Sequence, residues 1–504
     1  MLDQSFSYDN FRTLLDVENR KGTYLEDKTF FKDNDLFSES RLLSNKIIEI
    51  NKQIRDEKAK LPAKHLRTPN DYVKIDIFEK QKEEIKKERE NKLEEILKEI
   101  SATINDEKFR LIIQKGIVKY GDQLYTAENT PENYFVLKQL QRNIYKTFNV
   151  KQSDRKKLIS QISLLLNDNF PKVILRTDIS KFYESIPHRQ LLNQIEENSL
   201  LSYPSKKVVK DILNQYWKIL VDDGIKNAND ERVGIPRGIG ISAFLSELYL
   251  KDLDSLIKSL PNVTFYARYV DDIIIIYTPD NRSEIVSTSK YKSDVKHIIE
   301  KFSLKMNNDK TQIIDLRKAN YQRNQSKNYS LTYLGYKFLI SFKKSKNDKG
   351  KDVIVRQPLS IKMSEKKFER YKEKIKVAFD EFSSDVIKHA TCTSKINNKL
   401  VQRIKILTSN FRLYRRKNNV LIGIYFSNEF LTKELQDLKD LDTFLKSEIA
   451  RVSASLSVIA KSKLEKLSFV SGFENQHTLN FNFNEKNKRG AVNIDKILNI
   501  WTNI

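Results

Sequence analysis

The sequence predicts an α+β protein: a small sheet with helices on one side, set between long helical stretches. Three observations carry this. Glycine and proline are scarce, 12 and 10 among 504 residues, so few positions break helices. Both flanks run in charged blocks at helical spacing. Between them the pattern shortens to β-runs, most clearly "YARYVDDIIIIY" at 266–277, where four consecutive isoleucines follow two adjacent carboxylates.

Size and charge narrow the class. A chain of 504 residues holds two to four units with real cores. Lys and Arg number 91 against 67 Asp and Glu, a formal charge of +24, which points to a polyanionic partner, nucleic acid first. A genome that favours lysine codons is the alternative source, but it would also supply Asn and Asp. The single cysteine, Cys392, excludes an internal disulfide framework and fits a reducing cytoplasm. "MLDQSFSYDNFRTLLD" carries early acids and no apolar core, so it does not read as a signal peptide. No run of 18 apolar residues occurs, so no membrane span is expected.

Three regions follow. Residues 1–130 read as a mainly helical N-terminal extension. Within it 78–104 is a long exposed helix with Ile85, Leu93, Ile96, Leu97 and Ile100 on one side, and 58–72 is a basic, Pro-broken connector. Residues 131–345 open with two basic helices. Then come a β-run ending at Asp178, a Gly-rich loop entering an apolar helix (233–257), the 266–277 hairpin, a helix–turn–strand (296–315) and a strand pair (330–340). Residues 346–504 turn helical again, apart from a β-like piece at 420–427.

The chemistry lies in the carboxylates. An Asp-Asp pair by itself is an ordinary turn. Asp178 also closes a β-run, however, and strands of one sheet can bring it to Asp271 and Asp272. Three carboxylates at one strand end would hold two Mg²⁺ ions, with Mn²⁺ as the alternative, for phosphoryl transfer. The metals and a triphosphate would then balance the paired anions.

These segments, in this order, resemble the reverse transcriptases: "RTDISKFYESIPH", "GIPRGIGIS", "YVDD", "LKMNNDKT" and "LGYKF", covering about 140–340. The resemblance implies a right-hand polymerase, with fingers, a palm built on an antiparallel sheet, and a helical thumb. It implies that Asp178, Asp271 and Asp272 bind metal, with the Ile179 carbonyl as an extra ligand. Tyr183, after Phe182, would lie under the sugar and exclude a 2′-hydroxyl, which argues for deoxynucleoside triphosphates. Gly234, Pro236, Gly238 and Ser242 would shape the nucleotide loop. Arg237 stands where the family usually has Gln, and it can contact phosphate or stack on a base. Lys310 matches the lysine that protonates the leaving pyrophosphate. Lys138 and Arg142 are candidates for gripping the triphosphate. Leu334, Gly335 and Tyr336 would touch the primer end. His188 reads as structural.

No spaced acidic set for a ribonuclease H domain follows residue 345, and one Cys argues against a zinc endonuclease. The chain is most similar to bacterial defence-associated reverse transcriptases of the abortive-infection and unknown-group lineages. "LDQSFSYDNFRTLLDVENRKG" and "RIKILTSNFRLYRRKNNVLIGIYFS" look most like the first polymerase subunit of the type 3 system. That implies antiphage defence, a noncoding RNA as template or scaffold, a DNA product, a second reverse transcriptase subunit and a higher-order oligomer in the cytoplasm. Phe411, Tyr414, Arg412, Arg415, Arg416 and Lys417 would sit on basic C-terminal helices suited to nucleic acid. The alternatives are a retron or mobile-element enzyme, untemplated or protein-primed DNA synthesis, and a polymerase-shaped RNA-binding subunit.

Overall fold

A computed structural model describes residues 2–502, except 29, 32–34, 63–64, 66–67, 120, 198, 280–286, 318–327, 347, 349, 351, 389–393, 416–417 and 483–496. Cys392, Arg416 and Lys417 lie outside the described residues. The chain forms two compact units, Met1–Lys151 with Tyr183–Lys251, and Gln152–Phe182 with Asp252–Ile504.

The chain begins with α1 (Tyr8–Arg20), α2 (Ser38–Lys60) and α3 (Val73–Asn105). In α3, Leu93, Ile96, Leu97, Ile100 and Ile104 are buried, the stripe that helical spacing dictates. Ile85 is partly buried, against a small cluster of Ile50, Ile54 and Ile75. A hairpin follows, β1 (Ile113–Lys119) and β2 (Asp122–Ala127), inside the stretch expected to be mainly helical. Most of β1 is exposed on both faces, so no apolar alternation marks it. Helix α4 (Pro131–Phe148) starts at a Thr130 cap with Pro131 in the first turn. Next are α5 (Arg155–Asn167), capped by Asp154, β3 (Val173–Asp178), the short α6 (Phe182–Ser185), α7 (His188–Glu196), α8 (Tyr203–Asp222) and α9 (Ser242–Lys258).

The second unit contains the main sheet. Strands β4 (Val263–Tyr269), β5 (Asp272–Tyr277) and β6 (Gln312–Asp315) join β3 in the antiparallel order β4-β5-β3-β6, with α10 (Thr288–Lys301) between β5 and β6 in the chain. Ile273 to Ile276 are at most 1% exposed, because β5 is an inner strand covered on both faces. Ile274 and Ile276 share a core cluster with Leu158, Ile159 and Ile162 of α5, and Tyr277, on the other face, lies against Tyr291 of α10 with the rings tilted by 31°. A second sheet pairs β7 (Asn328–Tyr333) and β10 (Ser360–Met363) with the long β8 (Tyr336–Lys346), whose far end pairs β9 (Asp352–Arg356).

The C-terminal part is α11 (Glu365–Lys388), α12 (Ser394–Thr408), α13 (Ile424–Asn428), α14 (Gln436–Arg451), α15 (Val458–Glu465) and α16 (Phe469–Asn475) around Ile375, Phe379, Phe382, Leu400, Ile404, Leu438, Leu441 and Phe469. The stretch expected to continue α12 is instead extended. It forms β11 (Asn410–Arg415), between β12 (Asn418–Gly423) and the parallel β13 (Thr478–Asn482). Asn410 is the reason the helix stops: its buried side chain accepts from the Tyr425 N–H (2.9 Å) and donates to the Gly472 carbonyl (2.7 Å).

Candidate active site

The strand registers build the acidic cluster. Asp178 pairs directly with Asp272 across β3 and β5, and Tyr269 pairs with Asp272 across β4 and β5. Val270 and Asp271 are therefore a two-residue hairpin loop. Val270 has φ +59°, the left-handed region that costs a β-branched residue about 1–2 kcal/mol. Arg268 holds the loop by donating to the Val270 carbonyl (2.9 Å), and the Ile179 N–H donates to the Asp271 carbonyl (3.2 Å).

The carboxyls of Asp271 and Asp178 lie within hydrogen-bonding reach of each other. Burial, and then the Asp178 charge, push Asp271 up to about 6. Lys310 donates to Asp178 (2.7 Å), a bond that raises the Lys310 pKa, and Asn307 donates to the same oxygen (3.4 Å). Asp272 instead accepts two bonds from Arg176 (3.0 and 3.2 Å); burial raises its pKa while Arg176 opposes the rise. No three His, Cys, Asp or Glu side chains gather about one point among the described residues. Two of the carboxylates thus face each other and the third is held by arginine. Three anions against two cations leave an excess negative charge on hard oxygen donors, which fits divalent ions.

Arg176 was not singled out in the sequence, although one charged residue inside the apolar run "VILRTD" is the available signal. The hydroxyl of Tyr333 donates to the Asp272 carbonyl (3.1 Å), another contact the sequence did not reveal.

The β7–β8 turn brings the primer-end candidates to the same region of the second unit. Tyr333 pairs with Tyr336, and Leu334 and Gly335 between them have φ +44° and +79°, as a type I′ hairpin turn requires. Arg155 donates twice to the Leu334 carbonyl (2.6 and 3.2 Å). A cavity of about 550 Å³ is lined by Asp272, Arg176, Leu334, Gly335, Arg155 and Lys367, among others. A neighbouring cavity of about 880 Å³ shares Arg155, Lys367 and Arg370 and adds Tyr336, Tyr371 and Lys374. Tyr336 is buried; its hydroxyl donates to the Ser427 carbonyl (3.2 Å), and Lys367 lies 4.8 Å from its ring centre.

The nucleotide-loop candidates belong to the first unit, except Phe182, which is in the second and is 2% exposed. The Ile235 N–H donates to the Tyr183 carbonyl (2.7 Å) and Ser242 to the Pro236 carbonyl (2.6 Å). Gly238 has φ +108°, and a Cβ there would lie 2.7 Å from the Tyr125 carbonyl oxygen of β2, so the close approach requires glycine. Buried His188 bonds the Gly234 carbonyl (2.6 Å), and burial holds its pKa down. Lys138 and Arg142 both reach α1: Lys138 pairs with Glu18 (3.6 Å), and Arg142 donates to Asn10 (3.3 Å).

Comparison with known proteins gives the class. Residues 132–338 match the family model described as reverse transcriptase (RNA-dependent DNA polymerase). That segment contains all three aspartates, Lys310 and the Leu334–Tyr336 turn. This segment of the chain is thus similar to a reverse transcriptase domain. Among solved structures, telomerase from Candida albicans, in complex with a TWJ fragment of telomeric RNA, aligns at 12% identity and a TM-score of 0.34, over 73% of this chain and 66% of that one. Apo telomerase from Candida tropicalis aligns at 13% identity and a TM-score of 0.32, over 73% and 63%. This chain thus spans less than two-thirds of either. No curated protein sequence matches it. No helix among the described residues is long and apolar enough to cross a membrane.

Proposed function

We propose that the chain copies an associated noncoding RNA into DNA, with Asp178, Asp271 and Asp272 at the reacting centre. The facing carboxyls of Asp178 and Asp271, beside Asp272 and Arg176 at one strand end, carry this reading. Mg²⁺, or Mn²⁺ in its place, would be held by these aspartates with the Ile179 carbonyl; bound there, it supplies charge neutralisation and activates the attacking 3′-oxygen. The new bond joins that oxygen to the α-phosphorus of a deoxynucleoside triphosphate, and pyrophosphate leaves. Lys310, which donates to Asp178, would give the leaving group a proton and balances Asp178 before substrate arrives. Tyr183 blocks a 2′-hydroxyl, and the Leu334–Tyr336 turn holds the primer end. Both helix-bound cations, Lys138 and Arg142, would have to leave their α1 partners to grip a triphosphate.

The biological setting we propose is antiphage defence in the cytoplasm, with a second reverse transcriptase subunit and a higher-order oligomer. The support is the resemblance of residues 2–22 and of "RIKILTSNFRLYRRKNNVLIGIYFS" to that lineage, together with the charge of +24.

The test is to purify the chain from its own locus and sequence the RNA and DNA bound to it. Wild type is compared with the Asp271→Ala, Asp272→Ala double variant. One defined RNA in both, with complementary DNA in wild type alone, is the expected result. DNA unrelated to the RNA favours untemplated synthesis. No carboxylate-dependent DNA, given deoxynucleotides and Mg²⁺, overturns the polymerase reading. Phage plating with and without the double variant tests the defence role.

A further inference from the structure

We propose that Arg237 is a positioning residue that fixes Tyr183 as the sugar gate, and that Asp122 at the tip of the β1–β2 hairpin holds it there. This rests on the reading of Tyr183 as the group under the incoming sugar.

The geometry lies wholly within the first unit. The Arg237 guanidinium is 5.3 Å from the centre of the Tyr183 ring. One terminal nitrogen donates to Asp122 (2.7 Å) and the other to Glu184 (2.8 Å). A planar fork held at both ends cannot rotate, so its plane, and the ring beneath it, are fixed together. The backbone is fastened along the same line. The Tyr125 N–H donates to the Arg237 carbonyl (2.7 Å), and the Ile235 N–H to the Tyr183 carbonyl (2.7 Å). Gly238 lets β2 lie directly against the loop. Hairpin, loop and gate therefore form one hydrogen-bonded unit.

This arrangement decides between roles for Arg237. A guanidinium gripping a triphosphate must turn its fork toward the phosphates, but here each terminal nitrogen is already directed at a carboxylate. Two acids beside the loop would also repel a triphosphate. The Nε nitrogen is buried and has no hydrogen-bond partner. The ion pairs themselves are half exposed, Asp122 at 48% and Glu184 at 42%, so their value is orientation rather than stability.

The consequence is in selectivity. An unclamped Tyr183 ring can turn aside and admit a 2′-hydroxyl. The experiment measures kcat/KM for single additions of deoxy- and ribonucleotides by wild type, Arg237→Ala, Asp122→Asn, Tyr183→Ala and the Arg237→Ala, Tyr183→Ala double variant. We expect Arg237→Ala to lower discrimination about tenfold, and Asp122→Asn, which removes one arm at an exposed tip, a few-fold. In the Tyr183→Ala background, Arg237→Ala should add no further loss, because both act through one ring. An unchanged ratio in both Arg237→Ala and Asp122→Asn overturns the proposal, even when overall rates fall. So do Arg237 and Tyr183 effects that multiply independently. Wild type that adds no deoxynucleotide at all instead overturns the polymerase reading beneath it.

Discussion

Replacing Lys367 by Met should stabilise the protein near neutral pH and weaken its hold on nucleic acid. Lys367 lies in α11 over the Tyr336 ring and donates to the Ser427 carbonyl (2.6 Å). Burial, and then the nearby Arg155 charge, bring its pKa from 10.5 down to about 7. That gap is worth about 5 kcal/mol at 1.36 kcal/mol per pH unit. Water still reaches part of the side chain, which reduces the realised cost to roughly half. The lost hydrogen bond returns about 1 kcal/mol. The net expectation is a gain of about 1–2 kcal/mol for Lys367→Met below pH 7.

The pH dependence fixes the sign. Between about 7 and 10.5 the unfolded lysine keeps its proton while the folded one has lost it. The unfolded state then binds more protons, so wild-type stability rises with pH through that window. The advantage of Lys367→Met should be largest near pH 6.5 and vanish by about pH 9.5. Thermal unfolding across this range measures it, at roughly 2 °C per kcal/mol. Primer–template binding measures the other half. A phosphate beside Lys367 would restore its charge, so wild-type affinity should fall between pH 6.5 and 8.5 more steeply than that of the variant. A Lys367→Met protein less stable than wild type at pH 6.5, or a stability gap indifferent to pH, would refute the reasoning.

Three further outcomes follow from the geometry. Arg176→Met leaves Asp272 half-buried and unpaired; it should cost about 3 kcal/mol in thermal unfolding, and adding Asp272→Asn should recover much of it. Val270→Gly relieves the left-handed valine, so unfolding should show a gain of about 1 kcal/mol, while extension assays show slower synthesis as the Asp271 loop loosens. Gly472→Ala would drive a Cβ into the Thr408 carbonyl oxygen, and denaturant unfolding should show a loss of at least about 3 kcal/mol in the C-terminal helices.

What the sequence revealed depended on whether a residue's role could be read from its neighbours. The β4–β5 hairpin was legible because "DDIIII" joins a charged turn to a run too apolar for an outer strand, and the register then set Asp178 opposite Asp272. The stripe on α3 was legible for the same local reason. The β1–β2 hairpin was not, because β1, exposed along most of its length, carries no alternation. Strand β11 was hidden because Asn410, which ends the preceding helix, finds its partners at Tyr425 and Gly472, 15 and 62 positions away. Arg176 and Asp122 were missed because each is meaningful only through a partner far along the chain, 96 positions on for Arg176 and 115 for Asp122.

The costly features of the second unit sit close together. A valine in the left-handed region, two carboxyls that repel each other and a lysine driven toward neutrality all lie on or beside the Asp272 strand end and the β7–β8 turn. None of these favours the folded state, and each would relax if its surroundings could move. Four isoleucines at most 1% exposed, with Arg268 tied to the Val270 carbonyl, leave them no such freedom. Each buried isoleucine contributes roughly 2 kcal/mol, enough to offset one of these costs. The same apolar run that makes adjacent aspartates look misplaced in the sequence is therefore what allows the chain to hold them in place.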